Sequence, residues 1–142
     1  MAGLFFVFSN AVMSALSNLK PSYGIQTMQS INRVILNPLF FIVFMGTAIT
    51  CLIIAVSVIW NSGQPANFYL LSGSLFYLLG SILVTIVRNV PMNNALDKAE
   101  PESVEAANLW DEYLKRWTAW NHVRTIACVL AAILFTIALR KM

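Results

Sequence analysis

From position 34 to position 87 the chain carries no Asp, Glu, Lys or Arg. As one straight helix this block would run ~80 Å, against a bilayer hydrocarbon core of ~30 Å. It must therefore turn back on itself. The turn residues in its middle are Asn61-Ser62-Gly63-Gln64-Pro65. Residues 1–19 and 125–139 are also free of charge, so every charged side chain falls in 20–33, in 88–124 or in the tail Arg140-Lys141. With only 11% charged residues in 142, the chain has too few to cover the surface of a soluble globule, which would use roughly a quarter. The same composition argues against a disordered chain and a nucleic-acid binder.

The pattern predicts an all-α fold, a single membrane domain of four transmembrane helices over about 2–19, 39–60, 67–88 and 118–139. Each is near the ~20 residues needed to cross a bilayer. Helices satisfy every backbone group within the segment, and the period-2 alternation of a membrane barrel is missing. The first span has neither the basic lead nor the small-residue cleavage site of a signal peptide and reads as retained. Asn37-Pro38 supplies a cap and first turn for the second span, and Pro91 is the expected stop of the third.

Two polar connectors remain. In 20–36, Ile25, Met28, Ile31 and Ile35 lie close to helical spacing, which predicts a short amphipathic interfacial helix. In 92–117, Trp110, Tyr113 and Trp117 share one face of a second amphipathic stretch. Both connectors follow odd-numbered spans and so lie at one membrane face. That side holds Lys20, Arg33, Arg88, Lys98, Lys115, Arg116 and Arg124, against Arg140 and Lys141 on the other. The positive-inside rule then expects the connectors in the cytoplasm and the termini outside. Cys51 and Cys128 fall within spans, where free thiols pack as small apolar groups.

Polar side chains inside spans carry the functional signal, because lipid penalises them. At α-helical spacing, Asn10, Ser14, Ser17 and Asn18 make one stripe on the first span, and Ser74, Tyr77, Ser81, Thr85 and Arg88 make another on the third. Serines and threonines read as glue between helices. Asn10, Tyr77 and Arg88 point to a polar cavity. On the fourth span Trp117, Trp120, Asn121 and Arg124 fall at i, i+3, i+4 and i+7, and His122, the sole histidine, is rotated about 100° from Asn121. Interfacial anchoring accounts for Trp117 but less well for the deeper Asn121, His122 and Arg124. The third span ends opposite, in Arg88-Asn89-Val90-Pro91-Met92-Asn93-Asn94. The expected site is a pocket of Arg88, Asn89, Asn93, Asn121, His122 and Arg124 walled by Trp117, Trp120 and Tyr77, with Asn10 as a further substrate contact.

Several motifs, read together, resemble the anthrone-oxygenase-like family of small four-span membrane proteins. They are Gly3-Leu-Phe-Phe-Val-Phe-Ser9-Asn10, Met28-Gln29-Ser30-Ile31-Asn32, Asn37-Pro38, Asn89-Val-Pro91-Met-Asn93-Asn94 and Trp117 with Trp120-Asn121-His122-Val-Arg124-Thr125. The resemblance covers nearly the whole chain. It implies the four-span fold, a multi-pass place in the bacterial inner membrane, and oxidation of an apolar aromatic, quinone-like molecule by molecular oxygen without a cofactor. In such a reaction neutral His122 is the expected base. Arg124, Arg88, Asn121 and Asn89 would stabilise an enolate oxygen. Trp117 and Trp120 would stack a flat ring. The competing reading is a non-catalytic membrane protein that binds a lipid or small molecule or acts as an assembly partner. The partners expected are membrane lipid and an apolar aromatic small molecule, with a homo-oligomer left open. Proton-coupled transport usually needs an intramembrane carboxylate, and no span contains one. A single histidine makes a poor metal or haem site.

Overall fold

A computed structural model describes residues 1–60 and 63–142; two members of the expected turn, Asn61 and Ser62, lie outside the described residues. The described chain is helical. We label α1 Ala2–Ser17, α2 Pro21–Ile35, α3 Pro38–Trp60, α4 Asn67–Asp97 and α5 Val104–Lys141. Three of these, α3, α4 and α5, are long and apolar enough to cross a membrane. Helix α1 is a shorter apolar helix, about 24 Å long by its residue count. The chain is a multi-pass membrane protein built as a helical bundle.

The helix ends follow local chemistry. Asn37 caps α3: its Oδ1 accepts the Phe40 N–H at 3.0 Å, with Pro38 as the first helical residue. Ser103 caps α5 in the same way, its Oγ accepting the Ala106 N–H at 3.1 Å. Gly63, at φ +108, takes a left-handed conformation between α3 and α4 that other residues adopt only under strain.

The amphipathic helix expected in the first connector is α2, whose Gly24, Ile25, Met28 and Gln29 are buried. The amphipathic stretch expected in the third connector is also helical, but it is continuous with its neighbours. Helix α4 passes through Pro91 to Asp97, and α5 already begins at Val104. Pro91 does not stop α4 because α4 widens into π geometry over Leu78–Leu83 and Thr85–Asn89, after which a new α-helical stretch starts at Val90. A proline in the first turn after such a change gives up an N–H that has no ordinary partner there.

Helix α5 is the axis of the bundle: it packs against α1, α2 and α4, whereas α3 touches chiefly α4 and presents Leu39, Ile42, Ile53 and Ile59 outward. Two clusters fill the interior. At the connector end Met28, Leu96, Trp110, Tyr113 and Trp117 pack together. Towards the other end Phe5, Phe44, Tyr77, Cys51 and Cys128 do so. Both cysteines are free thiols packed in that cluster. Helix α2 is pinned to the connector end: Gln29 Nε2 donates to the Leu96 carbonyl at 2.9 Å and the Ala99 carbonyl at 3.1 Å, and Arg33 pairs with Asp97 at 3.2 Å. The first and third connectors thus share one end of the bundle, as the odd-span argument requires.

Candidate functional site

Three helices converge on Arg124. It sits on the inward face of α5 and is 6% exposed. Its Nη2 donates to Asn121 Oδ1 at 2.5 Å and its Nη1 to Thr85 Oγ1 on α4 at 3.2 Å. The guanidinium lies over the Phe5 ring at 4.4 Å and the Trp117 ring at 5.2 Å, both within cation–π range. Its Nε is buried and, among the described residues, has no hydrogen-bond partner. Among the described residues no carboxylate pairs with it; the ion pairs are Arg33–Asp97 and Arg116–Glu112, both near the connector surface.

Asn121 holds the arginine to α1. It is fully buried, and its Nδ2 donates to the Phe5 carbonyl at 2.7 Å and to Ser9 Oγ at 2.6 Å. Thr125 Oγ1 donates to the Asn121 carbonyl at 2.9 Å. One turn towards the connectors, Asn93 Oδ1 accepts from Trp117 Nε1 at 2.7 Å and from the Tyr113 hydroxyl at 2.8 Å. These bonds fix Trp117 edge-on to α4 and leave its face to Arg124. Trp110, Tyr113 and Trp117 form a stacked ladder with ring centroids 5.6 and 5.8 Å apart.

A cavity of about 100 Å³ adjoins this network, lined by Phe5, Asn32, Thr85, Trp117, Asn121 and Arg124 among others. A wider apolar groove of about 370 Å³, between α2, α3 and α4, shares Asn32, Ile35, Leu36, Phe40, Thr85 and Asn93 with it. The groove reaches the connector end at Arg33 and Asp97. The cavity and the groove thus adjoin one another along α2 and α4.

Of the residues expected from sequence, Arg124, Asn121, Asn93 and Trp117 line the cavity. The others stand elsewhere. His122 is exposed, one residue and hence about 100° round from Asn121, so its imidazole is not brought to the cavity. Arg88 is also exposed and lies over Trp120 at 4.9 Å, a pairing outside the cavity lining. Asn10 is exposed. Asn89 is buried, its Nδ2 donating to the Trp117 carbonyl at 3.3 Å, but it too stands outside the lining. Tyr77 is buried with its hydroxyl on the Phe44 carbonyl at 3.1 Å, where it ties α3 to α4.

Two of these displacements, those of Arg88 and Asn10, share a cause. In an α-helix a spacing of four overshoots a full turn by about 40°, so a stripe read at 3.6 residues per turn alternates threes and fours. A π segment widens the turn past four residues, and the drift reverses. Helix α4 mixes the two, and its inward face is Tyr77, Ser81, Thr85, Asn89 and Asn93, a spacing of four throughout. Arg88 is one residue off that line. Helix α1 has a π segment at Phe8–Val12, and its inward residues are Phe5, Ser9 and Met13, with Asn10 one residue off. Spacing puts Thr85 on the polar stripe of its span but reads it as glue between helices; Ser9 and Asn32 lie within the quoted motifs without being singled out.

Neither the curated proteins nor the solved structures contain a match to the chain. A family model does match, described as anthrone oxygenase, over residues 40–134. That stretch carries α3, α4 and most of α5, and with them Thr85, Asn93, Trp117, Asn121 and Arg124. The chain belongs to the anthrone oxygenase family.

Proposed function

We propose that the protein is a cofactor-independent oxygenase acting on a flat, apolar aromatic ketone drawn from the membrane, with Arg124 as the group that holds the developing enolate oxygen. One observation carries this reading: a buried guanidinium with an unpaired N–H, no carboxylate partner, and two aromatic faces beside a cavity. A buried charge without a counterion is costly unless an anion joins it. An enolate is such an anion, and it forms only as the C–H proton leaves. Binding energy realised at that point accelerates the step.

The chemistry balances without a further reductant. A ring methylene beside the carbonyl system loses one proton to give the enolate. The carbanionic carbon reacts with O2 to a hydroperoxide, which takes up a proton and then loses water to leave a carbonyl. Two hydrogens leave the carbon, one oxygen atom stays on it, and the other departs in water. Asn121 fixes Arg124, Trp117 packs against the ring, and the proton passes to water at the connector end. His122 has no part in this scheme, since its imidazole is exposed on the outer face. The connector side facing the cytoplasm of the bacterial inner membrane, as expected from Lys and Arg, belongs to the same proposal.

The test uses the full chain in lipid nanodiscs with an anthrone as substrate, following O2 uptake and quinone absorbance. We expect one O2 consumed per quinone formed. Arg124→Gln should reduce turnover by about a hundredfold or more, the usual scale for removing one oxyanion donor. His122→Ala should leave it unchanged. Full turnover by Arg124→Gln would overturn the assignment of Arg124. No turnover by the wild type on any enolisable aromatic ketone would favour a binding role without catalysis.

A further inference from the structure

Beside the cavity, among the described residues, two buried donors lack a well-formed hydrogen bond: Arg124 Nε, and Asn32 Nδ2, which lies near Tyr113. Both residues line it, one on α5 and one on α2. Asn32 also lines the apolar groove, so it stands where groove and cavity meet. Most of the remaining groove is hydrocarbon, including Ile35, Leu36, Phe40, Phe44, Met45 and Ile86, with Arg33, Thr85, Asn93, Asn94 and Asp97 as its polar members. A cationic donor and a neutral donor beside a small cavity, adjoining a mostly apolar groove, suit a headgroup with two acceptor oxygens and a single tail.

We propose that this site binds a long-chain carboxylate, a free fatty acid of the surrounding bilayer, and that this ligand competes with the aromatic substrate. The inference rests on the reading of Arg124 as an anion site. One carboxylate oxygen meets Arg124 and the other Asn32, so the negative charge answers the uncompensated guanidinium, a charge-assisted pairing stronger than a neutral one. The acyl tail lies along Leu36, Phe40 and Phe44. A two-tailed phospholipid fits less well, because the end of the site is only about 100 Å³ and is roofed by Phe5 and Trp117.

Trp117 lines the cavity and reports on it by fluorescence. The experiment uses the full chain with Trp60→Phe and Trp120→Phe, so that the remaining tryptophans are the buried Trp110 and Trp117. It is placed in zwitterionic nanodiscs at neutral pH and titrated with dibromostearic acid or its methyl ester. Heavy-atom quenching should saturate with the acid at a concentration about tenfold or more below that for the ester, a ratio worth about 1.4 kcal/mol. Arg124→Gln should abolish the difference between acid and ester. Asn32→Leu should reduce it severalfold, and Leu36→Phe, which narrows the groove without touching the charge, should weaken the acid. Equal quenching by acid and ester, or an undiminished preference in Arg124→Gln, would overturn the proposal. The two readings part cleanly. Oxidation of an anthrone that stearate does not inhibit refutes the carboxylate site and leaves the oxygenase standing. Saturable, Arg124-dependent acid binding without any oxidation does the reverse.

Discussion

Asn121→Ala is the sharpest test of how the bundle is held. The side chain makes three bonds: two donations, to the Phe5 carbonyl and Ser9 Oγ, and one acceptance from Arg124. Interhelical hydrogen bonds in membranes average about 0.6 kcal/mol, so the two that cross to α1 would amount to about 1 kcal/mol. That figure is too low here, because one of the three supports a buried charge. Stripping a buried ion of its partner costs about 3–5 kcal/mol. Arg124 keeps Thr85 Oγ1 and its two aromatic faces, which places the loss between these limits, at about 3 kcal/mol. On the scale of small domains this lowers Tm by roughly 6–12 °C. The assay is thermal unfolding of purified protein in one detergent, followed by near-ultraviolet circular dichroism. A double-mutant cycle with Arg124→Gln adds a check: once the charge is gone, losing Asn121 should cost at least about 1 kcal/mol less. A single variant that melts within a degree of the wild type would refute the claim that Asn121 joins α1 to the arginine. Strict additivity in the cycle would refute the coupling between the two side chains.

Further outcomes follow from other contacts. Gly80→Ala should destabilise by about 1–3 kcal/mol, because the new methyl would collide with Ala127 where α4 crosses α5; the melting temperature reads it. Tyr77→Phe removes the hydroxyl from the Phe44 carbonyl and should cost about 0.6–1 kcal/mol, with α3 loosening first in hydrogen exchange. His122→Ala should leave the melting temperature within a degree of wild type, since the imidazole is exposed. Arg33→Ala breaks an ion pair whose side chains are 67% and 52% exposed, so its effect on stability should be small and should fade as salt is raised in the melt.

Much of the fold was legible because lipid imposes severe rules. The charge-free blocks marked α3, the apolar part of α4 and the far half of α5, and Asn37-Pro38 marked where α3 begins. The face of α5 was legible too, since that helix is regular and Trp117, Asn121 and Arg124 keep α-helical spacing. The rotation that separates His122 from Asn121 was equally plain in the sequence; what was not legible was which of the two faced inward. The faces of α1 and α4 could not be read correctly from a 3.6-residue repeat, because the π segments change the repeat itself. Hence Asn10 was expected where the fold places Ser9, and Arg88 was expected together with Asn89 on a face that Asn89 alone keeps. The continuation of α4 past Pro91 has the same origin.

The unusual turns of α1 and α4 also make those helices adjustable. Each wide turn holds what amounts to one surplus residue, and a helix can pass that surplus along its length without unwinding. Here the surplus falls so that Thr85 meets Arg124, and the grip on the guanidinium is thus set by where α4 is overwide rather than by how it tilts.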